Sequence, residues 1–389
     1  MNTDAYPHPS TLDENALSRL DTSIQDDIDN GQNFGASIIV AHKGVVQHRR
    51  TFGTVAPDRK AKVDDLYLMM SLSKSFTAAL TLRAIDHGRY SLDTRIADFI
   101  PEFAAGGKQR VTVRHLLTHT AGTYANFAPP QPLLPSELGN LAKNVAAVSA
   151  LPAANIPGER VVYNPFAGYA MLGQLLVVTD PLKRRFADIA HEDLFEPLGM
   201  HNTSYGLAPD EPRRVPVAFT KRNSNKTTSQ TAKLLNQYLD ESSEHPAGGA
   251  FSTVDDIFRF AEALRPYANE SGKQFISPAL LSYATQNHTG NMGNGAWDFY
   301  REAHGLPEYP ANFTLLGGYV RGDGHFINGA GFTASPQTYY AVGGGSTMWW
   351  VDPTRELTFV FLSAGFIEGL AHFNRLRRLG DLVLASWIR

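Results

Sequence analysis

The chain has no cysteine in 389 residues. That excludes disulfide bonds and thiolate metal ligands and fits a reducing compartment, so a cytoplasmic location is expected. It also lacks charge of one sign: a net charge of -3 with a pI near 6.5 offers no basic field for nucleic acid or an anionic membrane surface. The one basic cluster, Lys221-Arg222-Asn223-Ser224-Asn225-Lys226, is polar throughout and reads as a solvated loop. No apolar run is long enough to span a membrane, and Met1-Asn2-Thr3-Asp4-Ala5 has neither the basic nor the apolar part of a secretory signal. A Gly-x-Ser-x-Gly elbow is missing, which argues against an α/β-hydrolase triad, and so is a phosphate-binding glycine loop.

The stretch that stands out is Ser71-Leu72-Ser73-Lys74. The apolar run Leu66 to Met70 leads up to it, and Phe76, Ala78, Ala79, Leu80, Leu82, Ala84 and Ile85 continue it as a helix that stops at Gly88. Residues three apart share a helix face, about 5–6 Å between Cβ atoms, so the Ser71 hydroxyl and the Lys74 amine can meet. The positive end of the helix dipole, and burial, both disfavour an ammonium there, leaving Lys74 able to accept a proton. A serine hydroxyl needs such a base to act as a nucleophile. About one chance Ser-x-x-Lys is expected in a chain this long, and an ordinary solvated helix start is the alternative.

With 43% hydrophobic content the chain can bury a large core in one or two lobes. Thr11 and Glu14 form a capping-box pattern, followed by a helix face of Leu17, Leu20, Ile24 and Ile28 that ends near Gly31. Ala36 to Ala41 and Val45 to Arg50 read as a hairpin across Lys43-Gly44. Thr338 to Val342, Thr347 to Val351 and Leu357 to Leu362 read as strands, and Leu370 to Ile388 as a closing helix. Strands at both ends around a helical middle predict an α+β fold: one antiparallel sheet built from both termini, flanked by helices, with an inserted mostly helical lobe. Residues 1–70 and 310–389 would form the α/β lobe and 71–309 the helical one, as a single catalytic unit with the cleft between them. The Pro-rich stretch Pro129 to Pro132 and the segment Asn287 to Asn312 read as long loops of the kind that wall binding sites.

Two further candidates are distant in sequence. A phenol at Tyr163 could accept or relay a proton, with a cation such as Lys74 lowering its pKa; a core tyrosine with a satisfied hydroxyl is the alternative. Val342-Gly343-Gly344-Gly345-Ser346, between two predicted strands, would let an N–H approach a ligand and complete an oxyanion hole, or simply make a tight hairpin turn. His115 and His119 have ligand spacing, but no Glu follows His115 and no third ligand is evident, so packing and hydrogen bonding are expected of them, with no metal and no cofactor.

Together these segments resemble a known family. Ser71-x-x-Lys74, Leu116 to Gly122, Pro157-Gly158 before Tyr163, Pro197-Leu198-Gly199-Met200, Gly248 to Thr253 and Val351-Asp352-Pro353 follow the order seen in the serine β-lactamase and penicillin-binding-protein superfamily. The chain is most similar to the class C-related branch that includes family VIII carboxylesterases, lovastatin-type acyltransferases and penicillin-binding-protein-type thioesterases, over roughly residues 20 to 385. Two departures matter. Pro165 stands where the β-lactamase tyrosine motif carries Asn, with Asn164 adjacent, and Val342-Gly343-Gly344 stands where the family has Lys or His before Thr/Ser-Gly. In the family that cation holds the β-lactam carboxylate, so its absence points to the esterase and acyltransferase branch.

The resemblance implies a serine hydrolase or acyltransferase working through a Ser71 acyl-enzyme, with Lys74 as general base, Tyr163 as proton relay, and the N–H groups of Ser71 and Gly345 as the oxyanion hole. A small-molecule ester, thioester or amide would be the substrate, with a carrier-bound acyl donor among the candidates. Phe127, Trp297, Tyr300, Trp349 and Trp350 are candidates for an apolar acyl pocket, core packing being the other account of them. An amidase, D-aminopeptidase or β-lactamase is the enzyme alternative, and a silent binding protein of the same fold the alternative of another class.

Overall fold

The computed structural model describes residues 11–124, 129–266, 274–325, 327–345 and 347–388. Its centre is a seven-stranded sheet. The strands are β1 (Gly35–His42), β2 (Val45–Ala56), β3 (Arg59–Lys60), β4 (Tyr319–Val320), β5 (Tyr339–Gly343), β6 (Thr347–Asp352) and β7 (Leu357–Ser363), in the order β3-β2-β1-β7-β6-β5-β4. Every paired neighbour in this sheet is antiparallel. The N-terminal hairpin joins the C-terminal strands through β1 and β7, Ile39 facing Val360. This is the sheet from both ends of the chain that the apolar runs predicted.

Both faces of the sheet are covered, which is why β1, β6 and β7 are buried along their whole length and nearly continuous in apolar residues. Helices α1 (Glu14–Asp29) and α5 (Gly369–Leu384) cover one face, placing Leu20, Ile24, Leu376 and Leu379 against Ile38, Trp350 and Phe361. The other face meets α2 (Ser73–Asp86) and α4 (Val254–Ala263), with Phe76, Ile257 and Phe260 against Ile39, Trp349 and Val360. Helix α3 (Ala167–Val178) extends that core, and α2 is buried on nearly every side.

Several local expectations are corrected. Thr11 and Glu14 do not form a capping box: Asp13 is the N-cap, accepting from the N–H groups of Asn15 and Ala16, while Thr11 hydrogen-bonds His42 at 2.7 Å. Side-chain reach decides this, since Asp13 sits directly before the first turn. The basic cluster is not all loop, because Asn225 caps a helix over Lys226–Tyr238. Short strands at Tyr67–Leu68, Ser204–Tyr205 and Ala250–Ser252 form a second, three-stranded sheet that no periodicity announced, being too short to show one. Among the described residues no helix is long and apolar enough to cross a membrane.

Candidate active site

Ser71 is delivered by the small sheet. Tyr67 and Leu68 pair with Ser252 and Phe251, and the Met69 N–H donates to the Ala250 carbonyl at 2.8 Å. The chain then turns through Met70 at φ 49, a left-handed conformation uncommon outside glycine, into a single 3-10 turn over Met70–Leu72. Ser71 therefore sits just before α2, not within it, and remains half-buried, whereas Lys74 is enclosed in the helix's first turn.

The Lys74 amine meets three oxygens: Ser71 Oγ at 3.2 Å, the Ala247 carbonyl at 2.7 Å and the Pro165 carbonyl at 3.3 Å. No carboxylate is among them, and burial lowers its pKa from 10.5 to about 7. The oxygen set suits a neutral amine. Its two hydrogens match the two carbonyls, and its lone pair matches the Ser71 hydroxyl. Pro165, where the family has Asn, thus serves Lys74 through its main chain. Asn164 does not take over the missing Asn's place: its Oδ1 accepts from the N–H groups of Phe166 and Ala167 at the start of α3, and its Nδ2 donates to the Tyr124 carbonyl.

The Tyr163 hydroxyl lies 2.5 Å from Ser71 Oγ, 92 residues away in sequence. Asn294 Oδ1 accepts the Tyr163 N–H at 3.0 Å, and the ring rests on His119 at 4.6 Å. The idea that Lys74 depresses this phenol is corrected. Burial dominates and pushes it up to about 12, and the hydrogen bond shared with Ser71 offsets only part of that. Desolvation also holds His119 and His245 neutral, the latter at about 3 with Lys74 adding to the effect. His119 Nδ1 accepts from Asn164 N–H at 3.3 Å and His115 Nδ1 from Thr112 N–H at 3.2 Å, so both are spent on the fold.

The glycine turn after β5 closes the other side. A Cβ at Gly343 would lie 2.1 Å from the Met69 carbonyl oxygen, so only glycine allows this strand to press against the backbone leading to Ser71. Thr347 Oγ1 donates to the same carbonyl at 3.0 Å. Gly345 has φ 77, and its own carbonyl accepts from Ile367 N–H at 3.2 Å.

The five aromatic candidates separate. Trp349 and Trp350 are 1% and 0% exposed, on opposite faces of β6, packed against Phe260 and Phe359; they are core residues and line no pocket. Adjacent strand residues point to opposite faces, and here both faces are covered. Trp297 and Tyr300 are half-buried on a segment anchored to the Tyr163 stretch by the Gly295 N–H to Val161 carbonyl bond, and to α5 by Trp297 against Phe373 and the Leu370 N–H to Tyr300 hydroxyl bond. Phe127 lies outside the described residues. A different apolar set includes the residue before Ser71: Met70, Phe166, Phe219 and Phe366 belong to one cluster, and the Phe366 Cβ lies 3.4 Å from where a Gly345 Cβ would be. Nothing in local sequence marked these four, because they come from four separate elements.

Comparison with known proteins identifies the family and several relatives. The beta-lactamase family model matches residues 20–382. The chain is 28% identical over 312 residues to penicillin-binding protein 4 of Amycolatopsis lactamdurans, covering 76% of each chain. It is 26% identical over 370 residues to esterase EstB of Burkholderia gladioli, covering 83% of this chain and 90% of that one. The solved structure of EstCE1, described as a hydrolase with promiscuous acyltransferase activity, superposes with a TM-score of 0.74 at 19% identity, over 94% of this chain and 98% of the other.

Proposed function

The chain belongs to the beta-lactamase family, and from that premise we propose that it is a serine esterase or acyltransferase acting through an acyl-enzyme on Ser71. The observation that carries this reading is the three-way contact of Ser71 Oγ, Lys74 Nζ and Tyr163 hydroxyl, with the amine near neutrality and the phenol protonated. Lys74 takes the Ser71 proton as Oγ attacks the ester carbonyl. The developing oxyanion is held by the Ser71 and Gly345 N–H groups. Collapse releases the alcohol, which receives the Tyr163 proton, and the Lys74 ammonium restores that proton to the phenol. Deacylation by water or a second alcohol runs the same transfers in reverse.

The substrate class is inferred from two features. Met70, next to Ser71, belongs to an apolar cluster with Phe166, Phe219 and Phe366, and position 342 is valine, with no cation there for a lactam carboxylate. An ester with an apolar acyl group fits these features better than a β-lactam or an acidic peptide. EstB and EstCE1 are relatives with matching descriptions. Intact mass after brief incubation with p-nitrophenyl butyrate tests the reading: an acyl adduct should form and be lost in Ser71→Ala. An adduct that persists in that variant would exclude Ser71 as the nucleophile.

A further inference from the structure

Arg375, on α5, is 3% exposed, and among the described residues no carboxylate pairs with it. Its neighbour one turn along, Arg378, binds both Asp27 oxygens at 2.7 Å. Arg375 instead donates to three main-chain carbonyls from three separate stretches: Gly345 at 2.8 Å, Gln32 at 3.3 Å and Gly365 at 3.5 Å. Its guanidinium also stacks over Phe361 at 5.2 Å. Asp27, already held by Arg378, favours the Arg375 charge without bonding to it, but burial disfavours that charge more strongly, and a neutral side chain of similar volume would fill the same space at less cost. A purely structural role therefore explains the arginine poorly.

The shortest of its bonds goes to the turn that needs restraint. Gly343, Gly344 and Gly345 are consecutive, and glycine has the widest backbone freedom of any residue. A donor in an oxyanion hole works only if its direction is set before the charge develops. We propose that Arg375 is a positioning residue: together with the Ile367 N–H, its guanidinium holds the Gly345 carbonyl and so restrains the Gly345 backbone, aiming the Gly345 N–H at the oxyanion. This rests on the acyl-enzyme reading above. Arg375 touches no substrate and acts through the turn, and its planar fork is what lets one side chain tie three carbonyls at once.

The test compares Arg375→Met, Arg375→Lys and Arg378→Ala with wild type, using p-nitrophenyl butyrate for kcat and KM, circular dichroism for folding and hydrogen exchange across residues 341–345 for the turn. Arg375→Met should lower kcat by about 10- to 100-fold, less than outright loss of an oxyanion donor, with KM changed less than about threefold. Exchange in the turn should quicken, and Arg375→Lys should recover part of kcat. Arg378→Ala, which loosens the same helix without touching Gly345, should lower the melting temperature and leave kcat within about twofold. If Arg375→Met does not fold, Arg375→Lys carries the comparison: turn exchange and kcat both at wild-type values in a folded Lys variant count against positioning by the fork. A folded Arg375→Met with wild-type kcat, or an equal kcat loss in Arg378→Ala, overturns the inference while the acyl-enzyme stands. A wild type that takes no adduct on Ser71 overturns the functional reading and this inference with it.

Discussion

Replacing Lys74 with arginine should abolish acylation while keeping the positive charge, because a guanidinium does not release its proton at ordinary pH. Burial lowers the Lys74 ammonium to about 7, so about half the molecules hold the neutral amine at pH 7. Wild-type kcat/KM should then rise about tenfold per pH unit below 7 and level off above it. A positioned general base contributes about 10²- to 10⁴-fold, and Lys74→Arg should lose at least the lower figure. The same shift is a statement about stability. Between pH 7 and 10.5 the unfolded chain holds a proton at Lys74 that the folded chain does not, so this group makes stability rise with pH across that window. The full change, from 10.5 to about 7, corresponds to about 5 kcal/mol at 1.36 kcal/mol per unit. Below pH 7 both states are protonated, and the contribution is lost. Lys74→Met, which cannot titrate, should therefore lack this rise in urea unfolding measured from pH 6 to 10. Ester hydrolysis followed from pH 5 to 9 gives the kinetic half. A wild-type profile flat through pH 7, Lys74→Arg activity within tenfold of wild type, or parallel stability curves for wild type and Lys74→Met would refute the reasoning.

Tyr163→Phe keeps the ring against His119 and removes only the hydroxyl 2.5 Å from Ser71; kcat/KM should fall by about 10²-fold with little change in melting temperature, and activity within threefold of wild type would remove the relay role. Gly345→Ala forces a side chain into φ 77 and places its Cβ 2.8 Å from the Ile367 carbonyl oxygen, so turnover should drop by about 10²-fold or more, whereas Gly344→Ala meets nothing closer than Met70 Cε at 3.6 Å and should be mild. Esters should be turned over far faster than a chromogenic cephalosporin, and equal rates would contradict the argument from Val342. At Asp352 burial pushes the carboxyl up, but bonds from Ser335 and Arg355 outweigh it and hold the pKa below the usual carboxylate range; its contribution is present above the unfolded pKa and fades as pH falls through the folded value. Asp352→Asn should destabilise by about 2–4 kcal/mol at pH 7 in urea unfolding, with the difference shrinking toward pH 3.

What could be read from the sequence was what backbone geometry makes local. Ser71 and Lys74 meet because a three-residue separation across the 3-10 turn that leads into α2 keeps them on one side, and the strands at the two ends were legible because their apolar runs are long enough to carry a pattern. The ordered motifs placed Tyr163 and the glycine turn as candidates without placing them in space. Tertiary structure decided the rest. It brought the Tyr163 hydroxyl across 92 residues to Ser71 and surrounded Lys74 with carbonyls of Pro165 and Ala247. It sent Trp349 and Trp350 into opposite halves of the core, since a strand covered on both faces has no polar side to mark its orientation. It also set Arg375 behind the Gly345 turn, in a helix whose neighbouring arginines look alike in sequence. Burial and long-range contact govern charge state, and both depend on how distant elements pack rather than on the residues beside each group in the chain.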